Sequence, residues 1–261
     1  MRALDIAASG LSAQQTNVDT ISHNLANMTT TAYKAERPEF QDLLYQDLRR
    51  AGTNSTDQGT ILPVGLQIGL GVRTGAIARD TGQGTVKSTE NPLDIAINGK
   101  GFLQITLPDG TIAYTRDGSL KLSPDGIIVT RNGFPLQPSI TVPNNAVDVS
   151  INASGQVEVS LQGQTTLSNL GQIQLATFVN PAGLQANGDN LFSETPASGN
   201  PLINNPGDDS TGVLLQGYLE SSNVNPVTAI TDLIVAQRAY EMNTKVLKAA
   251  DEMLQSLNQN A

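Results

Sequence analysis

Residues 3–28 read ALDIAASGLSAQQTNVDTISHNLANM, and the spacing of their apolar side chains decides the fold. Leu4, Leu11, Val18 and Leu25 recur every seven residues, and Ala7, Gln14, Ile21 and Met28 follow three positions after each. Positions spaced by three, four and seven share one face of an α-helix, so this a/d seam predicts a helix over 3–28. The other end of the sequence repeats the device. Leu233, Tyr240, Leu247 and Leu254 occupy one seam position, and Ala236, Asn243, Ala250 and Leu257 the other. Asn225 and Pro226 mark the start, an N-cap followed by a residue whose fixed φ suits the first helical position.

Such seams also suit ordinary amphipathic faces packed on a globular core. Two features favour self-association instead: both seams sit at the ends of the 261-residue sequence, and Gln14 and Asn243 place polar groups where register matters more than burial. One seam's burial falls short of the entropy lost on ordering about 25 residues. The end helices are therefore expected to pair as a coiled-coil-like domain and to stay frayed until partners arrive.

Between the ends the period changes from seven to two. Val147, Val149 and Ile151 alternate with Asp148, Ser150 and Asn152, and Val157, Val159 and Leu161 with Glu158 and Ser160, with a turn over 152–155. Upstream, Gly110, Gly118, Gly126 and Gly133 each follow Asp or Asn, which predicts an antiparallel meander. The region 46–84 carries glycines at 52, 59, 65, 69, 71, 75, 82 and 84 and reads as an extended excursion or poorly paired hairpin. Residues 185–209 are rich in Asn, Pro and Gly and read as a long surface loop. The expected fold is α+β with split topology: helical segments 1–30 and 225–261, a Gly-rich connection over 31–84, and an inserted β-rich domain over 85–224.

Composition excludes several chemistries. The net charge is −9 and no stretch clusters Lys and Arg, so no surface is built for a phosphate backbone. Cysteine is absent, which removes disulfides, thiolate nucleophiles and the commonest zinc sites. No run of about eighteen apolar residues predicts a membrane span, and no cleavable signal peptide is legible near Asp5 and Asp19.

The lone His23 adjoins Ser22 on a helix, where neighbours point about 100° apart and form no nucleophile–base pair. Gly69, Gly71 and Gly75 miss the dinucleotide-loop spacing, and Asp208 and Asp209 suit solvated turn residues. No metal, cofactor or catalytic residue is expected. Only 15% of residues are charged, against about 25% in an average domain, so neighbours could cover this surface without stranding many charges.

Three blocks carry a family resemblance. Ser9-Gly10-Leu11-Ser12-Ala13 is followed by Ile21-Ser22-His23-Asn24-Leu25-Ala26-Asn27 and by Thr30-Thr31-Ala32-Tyr33-Lys34. Asn98-Gly99-Lys100-Gly101-Phe102 and Tyr114-Thr115-Arg116-Asp117-Gly118 lie in the middle. Ser222-Asn223-Val224-Asn225-Pro226 leads into Gln237-Arg238-Ala239-Tyr240-Glu241-Met242-Asn243. In order and spacing these resemble the rod and hook axial proteins of the bacterial flagellum.

Two departures stand out. Ala32 lies where the family usually carries glycine, which implies a relaxed turn, and Met28-Thr29 replaces the usual Val-Asn. The run Leu62 to Val72 resembles an insertion particular to one of two rod subunits of similar length. The other rod subunit, the hook protein and, more remotely, a secreted β-rich adhesin are the competing readings.

The resemblance implies export through the flagellar type III apparatus without signal cleavage, and assembly into a hollow helical tube that transmits torque. It implies as partners further copies of the chain, neighbouring rod and hook proteins, and the surrounding periplasmic and outer-membrane rings. The tube-lining contacts would come from Leu4, Leu11, Val18, Ile21, Leu25, Leu233, Tyr240, Leu247 and Leu254.

Overall fold

The computed structural model describes residues 2–49, 64–163, 166–208 and 211–259. The chain forms two compact units, one of Met1–Ala26, Glu36–Arg79 and Asn225–Ala261, the other of Asn27–Ala35 and Asp80–Val224.

In the first unit, helices α1 (Arg2–Ala26) and α2 (Pro226–Gln259) lie side by side. Asn225 caps α2 as expected, its Oδ1 accepting from the Val227 amide at 3.0 Å. Helix α1 stops at Ala26, two residues short of Met28. The Gly-rich excursion forms a two-stranded antiparallel ribbon. β1 (Glu36–Asp42) pairs with β4 (Val72–Arg79), and β2 (Tyr45–Arg49) with β3 (Leu66–Gly69). Residues 50–63 of that excursion, Gly52 and Gly59 among them, lie outside the described residues.

β1 and β4 run along α1. Gly71 explains itself there: its φ is +118°, and a Cβ would fall 2.2 Å from Ser9 Oγ, which accepts from the Val72 amide at 3.3 Å.

In the second unit, β5 (Val86–Ser88) pairs with Tyr218–Glu220, and β6 (Ile95–Asn98) with Val213–Gln216. β7 (Phe102–Thr106) and β8 (Ile112–Thr115) lie at the centre of a seven-stranded antiparallel sheet. Alternation sends its side chains to two cores. Leu103, Ile105, Ala113, Leu175 and Leu191 join Ile95, Ile97, Leu120, Val157 and Val159 in the larger apolar cluster.

Phe102, Tyr114, Ala176, Phe178, Leu184 and Phe192 form the second cluster. Its rings meet edge to face, Tyr114 with Phe178 at 4.8 Å and Phe102 with Phe192 at 5.8 Å. Burial and Glu194 push the Tyr114 phenol up to about 12.

The hairpin over 146–161 forms in the expected register, Ile151 opposite Val157 and Val149 opposite Val159. A bulge between Ala146 and Asp148 breaks the alternation, so Val147 is exposed rather than inward. Three of the four meander glycines close turns at positive φ: the amides of Gly110, Gly126 and Gly133 each donate to the carbonyl three residues back at 2.9 Å. Gly118 differs. A Cβ there would sit 1.7 Å from the Ile95 carbonyl oxygen, so close approach of backbone dictates it.

Two expectations fail. Residues 185–209 are not a surface loop but include strands Gln185–Gly188, Leu191–Ser193 and Leu202–Asn204, with Leu191 and Phe192 buried. Asp189 and Asn190 turn the first pair at φ of 52° and 60°, the left-handed geometry that Asp and Asn tolerate. Nor is the turn at Ala32 relaxed: Ala32 is itself left-handed, with φ of 56°.

Candidate assembly site and a buried ion cluster

On the helix pair, the deepest positions are small. Ala7, Ala13 and Thr20 on α1, and Ala229, Ala236 and Ala250 on α2, are buried. Ala229, Ala236 and Ala250, with the half-buried Asn243 in register, form one line of seven-residue spacing. Gly10 faces that line, where a Cβ would lie 3.3 Å from Asn243 Nδ2. Small residues let the backbones approach, and the leucines flank the line.

Leu4, Leu11, Val18, Ile21, Leu25, Leu233 and Leu247 are half-buried, Tyr240 is 39% exposed, and the Leu254 side chain lies outside the described residues. The seam residues that the structure describes are therefore half-buried or exposed, none of them deeply buried. Other apolar side chains of α2 point away altogether. Val235 and Met242 are each 61% exposed, as is Met253, and Val246 is 54% exposed.

The motif residues divide between the units. In the first, the buried Asn24 exchanges two bonds with the Glu36 backbone, donating to its carbonyl at 2.7 Å and accepting from its amide at 2.8 Å. Ala26 ends α1, Asn225 and Pro226 start α2, and Gln237 and Arg238 are exposed on it. His23 is an exposed helix residue, with Nδ1 3.6 Å from Glu36 Oε2. In the second unit, Asn27 accepts the Thr30 hydroxyl at 3.1 Å, and the Tyr33 carbonyl accepts the Asn223 amide at 3.4 Å.

Lys34 lies in a buried polar cluster. Its Nζ donates to Glu220 Oε1 at 2.5 Å and to the Gly82 carbonyl at 2.8 Å. Glu220 Oε2 accepts from Arg116 Nε at 2.9 Å, and Glu220 Oε1 also accepts the Gly84 amide at 2.8 Å. The rest of the Arg116 guanidinium donates to the carbonyls of Gly101 and Gly99 at 2.8 and 3.0 Å.

All three charged residues are buried, the Glu220 side chain completely. Burial and the neighbouring Arg116 push the Lys34 ammonium below its ordinary value despite its bond to Glu220. Burial alone would raise the Glu220 carboxyl, but Arg116 and Lys34 overcome that and hold it below the usual range. One carboxylate serves two cations, and backbone carbonyls satisfy the excess donors.

Sequence reading quoted Arg116 only within a motif and missed Glu220. A single acid beside Leu219 in a short strand gives no signal until the fold places it between two cations.

Among the described residues, no cluster of His, Cys, Asp or Glu is placed to hold a metal ion, and no helix is long and apolar enough to cross a membrane. The N-terminal region matches a model described as flagella basal body rod protein over residues 4–34. A flagellar hook protein FlgE/F/G D1 domain model matches 96–159, and a flagellar basal body rod FlgEFG C-terminal model matches 215–260.

The chain is 54% identical to the flagellar basal-body rod protein FlgG of Caulobacter vibrioides over 99% of each chain. It is 48% identical to the FlgG of Agrobacterium fabrum over 100% of this chain and 99% of that one, and 38% identical to the FlgG of Bacillus subtilis over 98% of each. The chain belongs to the flagellar basal-body rod protein family. Within it, the full-length likeness is to FlgG, which makes the chain a structural subunit of the distal rod.

Proposed function

We propose that this subunit is a non-catalytic building block whose α1 and α2 pair in coiled-coil fashion with neighbouring copies, lining a hollow helical tube that transmits torque. Support comes from the apolar side chains α2 leaves exposed in the single subunit, Val235, Met242, Val246 and Met253. A patch of this kind on a helix is an interaction surface or an aggregation liability. The seam residues Leu4, Leu11, Val18, Ile21, Leu25, Leu233, Tyr240, Leu247 and Leu254 supply the contacts in this reading.

The ribbon of β1 to β4 reaches a neighbouring copy and stiffens the tube; most of its residues are exposed, including Leu44, Tyr45 and Leu66. Further partners are adjoining rod and hook proteins and the surrounding rings. Export proceeds through the flagellar type III channel without signal cleavage, with the end helices unfolded in transit and ordered on joining neighbours. Leu11→Asp or Leu247→Asp should abolish polymerisation, seen by electron microscopy, while leaving the β-sheet circular dichroism unchanged; rods formed by either variant would refute the reading.

A further inference from the structure

We propose that Lys34, Arg116 and Glu220 form a latch that closes before assembly, holding the segment after α1 against the stretch that leads into α2. The inference deepens the assembly reading above and rests on it for its purpose. Its geometry lies wholly within the second unit. Residues 27–35 belong to that unit although the chain before and after them belongs to the other.

No strand holds this segment, because β1 begins only at Glu36. Polar bonds hold it instead. The Ala32 amide donates to the Glu220 carbonyl at 2.8 Å, the Ala35 amide to Asn223 Oδ1 at 2.7 Å, and the Asp80 amide to the Ala35 carbonyl at 2.7 Å. Asn223 Nδ2 reaches the carbonyls of Asp80 and Gly82, each at 3.2 Å. Gly84 permits the close approach, since a Cβ there would fall 1.9 Å from the Ser221 carbonyl oxygen.

Lys34 is the charged member of the segment, and its ammonium is matched only when Glu220, already paired with Arg116, accepts it. A segment docked without that carboxylate would bury an uncompensated charge, so the closed arrangement is favoured over near-native alternatives.

The consequence is proximity. Were the segment free before β1 and β4 pair, α1 would be tied to the second unit only through the 53 residues from 27 to 79. Latched at Ala32, it is tied through a handful, and α2 starts at Pro226, two positions after Val224. Loop-closure entropy scaling makes the effective concentration of the two helices for one another about tenfold higher in the latched chain.

Hydrogen exchange on the full-length free chain tests this directly. The amides of Ala32 and Ala35 should be protected in the monomer even where α1 and α2 are not, and their exchange at the unstructured rate would overturn the latch whatever the helices do. Lys34→Met keeps the Arg116–Glu220 pair. It should lose protection over 32–35, keep it over 102–106, and raise the concentration at which polymers appear about tenfold. Asn223→Ala, which removes the acceptor for Ala35 and the bonds to the Asp80 and Gly82 carbonyls but leaves the Lys34–Glu220–Arg116 cluster in place, should act in the same direction more weakly. Unchanged exchange over 32–35 or an unchanged onset concentration in Lys34→Met would also overturn the proposal. If rods tolerate Leu11→Asp while 32–35 is protected, the assembly reading fails and the latch stands.

Discussion

Ala32 illustrates how much one backbone angle decides. Its φ of 56° costs an L-residue about 1–2 kcal/mol, and its methyl group is buried. Ala32→Gly relieves that strain but gives up a buried methyl worth about 0.8 kcal/mol and adds freedom to the unfolded chain worth about 0.4–1 kcal/mol. It should therefore leave stability within about 1 kcal/mol of the parent. Ala32→Val adds a β-branched group at a left-handed, packed position and should cost about 2–4 kcal/mol. Denaturant titration followed by β-sheet circular dichroism checks the contrast. The motif comparison marked position 32 as unusual, but only the dihedral says that the turn kept its shape and that alanine bears the strain.

At the scale of elements, periodicity was legible and orientation was not. The heptads placed both helices to within two residues, and alternation with turn residues placed the 146–161 hairpin. Yet a helix carrying apolar residues around much of its circumference does not say which face is innermost. The structure gives the deepest positions to Ala229, Ala236 and Ala250 and turns Met242 and Val246 outward. Because those two are exposed in the subunit, Met242→Glu and Val246→Glu should change subunit stability by no more than about 0.5 kcal/mol. Sedimentation at assembling concentrations should nonetheless show polymer lost if a neighbouring copy covers that face. The strands within 185–209 escaped sequence reading for the opposite reason: the buried pair Leu191 and Phe192 is too short to show alternation among polar neighbours.

For the molecule as a whole, acid should act through the second unit. Glu220 has a folded pKa below its ordinary 4.5, so its stabilising contribution is complete above that value and is lost as pH falls through the folded value. Protonation there leaves Lys34 and Arg116 buried together without their shared carboxylate. Thermal melts of the free chain, read on the β-sheet signal, should therefore fall in midpoint below about pH 4.5. Glu220→Gln should be destabilised at pH 7 by about 3–5 kcal/mol and lose most of that acid slope.

The sequence by itself determined the periods of both helices, the cap at Asn225, the turns at Gly110, Gly126 and Gly133, and the family, because each is written in spacings within a few residues or in ordered motifs. Tertiary structure alone decided which helix face lies inward, that Gly118 answers to the Ile95 carbonyl, and that Lys34 meets a carboxylate 186 positions away. Burial and charge pairing depend on what the fold brings near, and no local pattern carries that information.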